Sequence, residues 1–168
     1  VVDKIVATHL PAERTFQLLN QVTGRAGREA FPGRGLIQTY MPEHPVIQAL
    51  ASRDRDAFLA REIEARKAAT MPPFGRLASL LVSAGSRDAA ESYARGLART
   101  APPAHKIEVL GPAEAPLAVI RGRFRFRLLV KATREADLQA YLRLWLSQAP
   151  KPKGDVRLNV DVDPYSFL

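Results

Sequence analysis

The sequence contains no cysteine. That excludes disulfides, thiolate metal sites and a cysteine nucleophile. Histidine is scarce. His9, His44 and His105 stand far apart, so no metal ligand set is assigned to this chain. No apolar run approaches the ~20 residues of a membrane helix, and no signal-peptide pattern follows Val1, so no membrane partner is expected. Lysine is also sparse. Six of the 25 basic residues are lysine and the other 19 are arginine. Arginine favours planar, bidentate recognition of phosphate or carboxylate. What is present is a globular composition, 46% hydrophobic and 25% charged, with a net charge of +8. Nucleic acid is therefore the first partner class to consider, although a basic soluble protein would carry the same charge.

The first half of the chain is uneven. Residues 1–11 have no initiator Met, cap or hairpin, and read as a cut end. Residues 12–22 have a helical pattern, with Phe16, Leu18, Leu19 and Val22 clustered on one side. Gly24 and Gly27 are expected to end that helix. Residues 35–40 (GLIQTY) form a strand candidate, bracketed by Pro42 and Pro45. A short helix over 44–50 and a longer one over 54–69 follow, the second capped by Asp54 or Ser52. Arg61, Glu62, Glu64, Arg66 and Lys67 read as its solvated face. Met71-Pro72-Pro73-Phe74-Gly75 breaks the chain, and a domain boundary is placed there.

The second half is more regular. Residues 77–84 form a buried strand candidate, and Asp88 with Glu91 opens a helix through Thr100. A second strand starts at 107–110, is interrupted by Gly111-Pro112 and resumes over 116–120. A hairpin turn at Arg121-Gly122-Arg123 leads to a third strand over 124–132. Thr133 is expected to cap the next helix. There Leu138, Tyr141, Leu142, Trp145 and Leu146 form an amphipathic stripe. In the last strand Val156, Leu158, Val160 and Val162 alternate with polar residues. The β-α-β-β-α-β order predicts an α+β, ferredoxin-like domain: four strands, two helices on one face, the other face open.

Two segments can carry chemistry. In Gln21-Val22-Thr23-Gly24-Arg25-Ala26-Gly27-Arg28, two arginines three apart could aim their guanidiniums at one anion. A solvated helix end beside the C-terminal dipole explains the same spacing. The second segment is 121–131. Arg121, Arg123, Arg125, Arg127 and Lys131 share one strand parity, and Phe124, Phe126, Leu128 and Val130 the other. The apolar parity should pack under the helices. The basic row would then line the open face, with Arg157 nearby, and could follow a phosphate backbone. A solvated strand face neutralised by Asp161 and Asp163 is the plainer alternative. Those two acids read as structural. Tyr165–Leu168 could be a docked tail or a frayed end. Arg134, at the start of the last helix, is a weaker candidate for an acidic peptide.

QVTGRAGR resembles motif VI of the superfamily 2 helicases, Gln-x-x-Gly-Arg-x-Gly-Arg. Several flanking blocks narrow the likeness. They are AERTFQLL at 12–19, GLIQTY at 35–40, PEHPV at 42–46, MPPFGRL at 71–77 and DVDP at 161–164. Together they resemble the bacterial replication-restart DNA helicases, the primosomal protein N′ family, from about Ala12 onward.

The resemblance implies an intact protein that is an ATP-dependent 3′→5′ helicase. It would recognise stalled forks and assemble the primosome. Its cofactors would be ATP, Mg²⁺ and zinc, and its setting the bacterial cytoplasm and nucleoid. Its partners would be fork and single-stranded DNA, single-stranded-DNA-binding protein and other primosome proteins.

By the same resemblance, Gln21, Gly24, Arg25 and Arg28 would be the ATP-binding motif VI, with Arg25 and Arg28 catalytic at the γ-phosphate. Residues 1–44 would be the tail of the second RecA-like helicase lobe and 45–74 a connecting helical segment. Residues 75–168 would be a C-terminal domain shaped like a small ribosomal-subunit protein. The chain has no Gly-x-x-x-x-Gly-Lys-Ser/Thr loop, no Asp-Glu-x-His motif and no cysteines for zinc. Phosphoryl transfer needs a phosphate cradle and Mg²⁺ ligands. A C-terminal fragment that hydrolyses no ATP by itself is therefore expected. A free-standing nucleic-acid- or ribosome-associated module is the alternative.

Overall fold

The structure, a computed structural model, describes residues 12–25 and 36–164. Of residues 12–14 and 23–25 it describes the backbone alone. The chain divides into two compact units, one up to Ala65 and one from Arg66 onward.

The first unit is helical. Helix α1 (Ala12–Arg25) and helix α2 (Pro45–Ser52) precede α3 (Arg55–Ala68), within whose sequence the division falls. Helix α1 runs through Gly24 to Arg25, beyond the expected stop at Val22. One glycine costs a helix only about 1 kcal/mol, so Gly24 alone does not end it. The α2 start is locally specified. His44 Nδ1 accepts from the Val46 amide at 3.3 Å, and Pro45 occupies the position where a missing N–H costs nothing. Asp54 caps α3, its Oδ1 accepting from the Ala57 amide at 2.9 Å.

A small core joins the three helices. Phe16 stacks on Phe58 with ring centroids 4.7 Å apart, and Val46 and Ala49 are buried with them. The expected strand at 35–40 is not formed over residues 36–39, and Leu36 and Tyr40 are fully exposed. Strands need a neighbour to pair their amides and carbonyls. Among the described residues this segment has none.

The second unit is the expected four-stranded domain. It contains β1 (Gly75–Ala84), α4 (Arg87–Arg99), β2 (Ile107–Ile120), β3 (Arg123–Thr133), α5 (Leu138–Gln148) and β4 (Arg157–Val162). The sheet order is β2-β3-β1-β4, with every neighbouring pair antiparallel. Leu80, Val82 and Ala84 of β1 and Phe126, Leu128 and Val130 of β3 point to the helix-covered face. There they meet Ala90, Ala94 and Leu97 of α4 and Leu138, Leu142 and Trp145 of α5. The parity reading thus held: the two strand phenylalanines are core and the basic row lies on the other face. Trp145 is fully buried, and its Nε1 donates to the Leu97 carbonyl at 3.1 Å and to Thr100 Oγ1 at 3.2 Å.

Three local expectations change. Helix α4 begins at Arg87 rather than Asp88, so Asp88 lies in the first turn and Ser86 at the N-cap. Thr133 is the last residue of β3 and does not cap α5. Asp137 does so, its Oδ1 accepting from the Ala140 amide at 2.9 Å. Strand β2 is one element from Ile107 to Ile120 rather than two, with register shifts after Leu110 and after Glu114. These shifts flank Gly111-Pro112 and Pro116. Gly111 has φ +98°, and a Cβ there would lie 2.8 Å from the Arg127 carbonyl oxygen. Because β2 is an edge strand, its prolines forfeit no ladder bond on the open side.

Candidate nucleic-acid interface

The antiparallel order places three features at one end of the sheet. They are the exit of β1, the β2–β3 turn and the entry to β4. Ala84 faces Phe124 across one ladder, and Ser83 faces Arg157 across the other. The β2–β3 turn is a two-residue hairpin in which Arg121 and Gly122 have φ +50° and +73°. Positive φ at both central positions gives the turn the twist that suits a hairpin. Arg121 is exposed there.

The arginines of β3 do not form the uniform row that their parity suggests. Arg123 is tied into the fold. Its Nη2 donates to the Ser83 carbonyl at 2.9 Å, and its Nη1 lies 3.4 Å from Asp155 Oδ2. Asp155 Oδ2 also accepts from the Gly85 amide at 2.6 Å. Arg123 therefore pins the β4 entry loop to the end of β1. Arg125 lies in one cross-strand row with Ser83 and Arg157. Its Nη1 donates to the Leu117 carbonyl at 3.2 Å. Arg127 is half-buried in the next row, opposite Leu81. Burial, and then the neighbouring Arg125 charge, pull its pKa below the usual guanidinium value. Arginine stays charged at neutral pH regardless. An anion beside this pair would offset the repulsion between the two charges. Arg157 is exposed.

At the opposite end of the sheet the cations are matched by acids. Lys131, expected to extend the row, pairs with Glu108 of β2 at 3.3 Å. Lys106 pairs with Glu135. Arg76 donates from Nε and Nη2 to Asp163 Oδ2, the shorter contact being 2.7 Å. The Asp163 amide also donates to the Leu77 carbonyl at 2.7 Å, and its Oδ1 accepts from the Leu77 amide at 3.4 Å, which makes it the clasp closing β4 onto β1 and agrees with its structural reading. Asp161 is exposed beside Ser79. A shallow open hollow of about 290 Å³ lies at this end, lined in part by Lys106, Glu108, Lys131 and Thr133. Its two lysines are already paired, so it offers no concentrated charge.

The remaining candidates lie elsewhere. Gln21 is exposed on α1, and Gly24 and Arg25 belong to that helix's last turn. Arg28 and Tyr165–Leu168 lie outside the described residues. Arg134 is exposed in the turn before α5. Among the described residues no cluster of histidine, aspartate and glutamate could hold a metal ion, and no helix is long and apolar enough to cross a membrane.

The parity argument missed Lys151 and Lys153. Both are exposed in the loop that enters β4. The signal was in the sequence. Once β3 and β4 both run antiparallel to β1, the Pro-Lys-Pro-Lys-Gly loop must fall at the hairpin end.

Comparison with known proteins fixes the family. Residues 67–165 match the family model described as the primosomal protein N C-terminal domain. The chain belongs to that family. Curated relatives carry the name replication restart protein PriA. The Rickettsia conorii protein is 41% identical over 156 residues, 93% of this chain and 24% of its own length. The Bacillus subtilis protein is 36% identical over 170 residues, 95% of this chain and 21% of its own. The Haemophilus influenzae protein is 32% identical over 154 residues, 90% and 21% respectively. The chain thus spans about a quarter or less of the length of these relatives. The matched residues contain the whole α+β sheet described above, through its clasp at Asp163.

Proposed function

We propose that this chain is the C-terminal part of an ATP-dependent 3′→5′ DNA helicase that restarts stalled replication forks. Its βαββαβ domain contributes DNA binding through the open sheet face. The observation that carries this reading is the Arg125–Ser83–Arg157 row with Arg127 in the adjacent row. Three guanidiniums at this spacing can follow a phosphate backbone without reading bases. Among the described residues the face carries no aromatic platform, because Phe124 and Phe126 turn to the core side. Contact with DNA is therefore electrostatic and independent of sequence. Lys131 drops out of the contact set because Glu108 neutralises it, and Arg123 because it is bound to the fold.

Motif VI resemblance assigns Gln21, Arg25 and Arg28 to the ATP γ-phosphate of the intact helicase. The exposure of Gln21 on α1 suits that role. A phosphate cradle, Mg²⁺ ligands and the cysteines for zinc would have to come from outside this sequence. Single-stranded-DNA-binding protein and other primosome proteins are the proposed partners, with the exposed Arg134 as a contact for an acidic peptide. A free-standing binding module would explain the basic face but not the Gln21–Arg28 motif. Nor would it explain relatives that match more than nine-tenths of this chain.

The test is fluorescence anisotropy on a forked DNA across a KCl series. Binding should weaken linearly in log salt. R125A/R127A should flatten the slope by about 1 per contact removed. Affinity that does not fall with salt, or a double variant with an unchanged slope, would refute the sheet-face assignment.

A further inference from the structure

We propose that single-stranded DNA crosses the sheet at its hairpin end, across the strands rather than along β3, and continues onto Lys151 and Lys153. This rests on the DNA-binding reading of the same face and adds its path and two further contact residues.

Charge distribution sets the path. Segments 121–127 and 150–157 carry Arg121, Arg123, Arg125, Arg127, Lys151, Lys153 and Arg157 against a single acid, Asp155. That acid is already engaged by the Gly85 amide and Arg123. At the other end Lys131, Lys106 and Arg76 each hold a carboxylate, and Asp161 is exposed. A polyanion running along β3 would leave the basic end and meet Glu108 and Asp161. One running across the strands, from Arg121 and Arg125 to Arg157 and the loop, stays on positive charge throughout. Strands lie about 4.8 Å apart, so Arg125 and Arg157, two ladders apart, stand roughly 10 Å from each other. A flexible sugar–phosphate chain bridges that gap within two phosphates.

The loop is built to present its lysines. Tyr93 Oη donates to the Pro150 carbonyl at 2.9 Å, fixing the loop's start. The Val156 amide donates to the Lys153 carbonyl at 3.2 Å, and Asp155 pins the end to β1. Pro150 and Pro152 fix φ on either side of Lys151. Both lysines are exposed on this restrained backbone. Their contact with phosphate therefore orders side chains alone, not the loop.

The experiment titrates the 168-residue chain against fluorescein-labelled oligothymidylate over a KCl series. Single-strand binding loses about 0.7 in log–log slope per phosphate contact removed. K151A/K153A should flatten the slope by about 1.4, and K151R/K153R should restore it. R99A/K106A removes two charges elsewhere and should leave the slope unchanged. Equal flattening by R99A/K106A would show a net-charge effect and overturn the path. An unchanged slope in K151A/K153A, with R125A/R127A still flattening it, overturns this inference alone. Unchanged slopes in both double variants remove the sheet-face reading beneath it. Retention of Trp145 fluorescence in each variant confirms the fold.

Discussion

At the scale of single residues, the domain is held by polar side chains with more than one partner. Arg123 joins β1, β3 and the β4 entry loop, and Asp163 closes β4 against Arg76 and Leu77. Trp145 combines complete burial with two hydrogen-bond acceptors at the end of α4. Replacing it with alanine opens a large cavity and leaves the Leu97 carbonyl without that donor. Trp145→Ala should therefore lower unfolding free energy by about 3–5 kcal/mol, read from urea denaturation followed by circular dichroism. A loss below about 1 kcal/mol would mean that α5 repacks and that the tryptophan is not central. The identities of these core residues were legible in the sequence, because period and parity place apolar groups on one face. The pinning of Arg123 was not. Its partners Ser83 and Asp155 are 40 and 32 residues away.

At the scale of elements, the strands and helices of the second unit follow from pattern and turn chemistry. Their junctions follow from close approach. Gly75 begins β1 where the chain turns back on itself. A Cβ there would collide with the Thr70 carbonyl and lie 2.8 Å from the Ala132 carbonyl oxygen. Backbone atoms on both sides cannot yield as a side-chain tip can. Gly75→Ala should lower the melting temperature measurably by calorimetry, whereas Gly122→Ala, whose Cβ meets nothing within 4 Å, costs only turn strain. If the Gly75 substitution proved neutral, the β1 entry would have to be looser than the structure shows. Sequence pattern misjudged three element ends, at Val22, Asp88 and Thr133. A single glycine does not stop α1, α4 starts one residue early without a side-chain cap, and at α5 Asp137 takes the cap expected of Thr133. The strand expected at 35–40 has the composition of a strand without a partner to pair with.

At the scale of the whole molecule, the +8 charge is unevenly placed, and its placement matters more than its size. One end of the sheet gathers basic residues with Asp155 among them, while at the other Lys131, Lys106 and Arg76 each pair with an acid. Arg25 belongs to a different unit, and the motif arginines to a different proposed chemistry. With no phosphate loop in its sequence, the chain by itself should release no phosphate from ATP, with or without DNA. Malachite-green turnover above that of a Gln21/Arg25/Arg28 triple-alanine variant would contradict this and require a second phosphate site within these residues.

The sequence by itself determined the βαββαβ order, the parity of the sheet faces, the core stripe of α5 and, through its motifs, the family. These depend on local periodicity and short spacing, which one chain displays without folding. Only the tertiary structure showed that Arg123 and Lys131 are paired with acids. Arg123 and Lys131 look equivalent to Arg125 and Arg127 in a strand pattern. What separates them is the company they keep: Asp155 and Ser83 for one, Glu108 for the other. Charge in water is a property of a residue, but charge available at a surface is a property of its neighbours. Those neighbours are brought together across tens of residues by the antiparallel ladder.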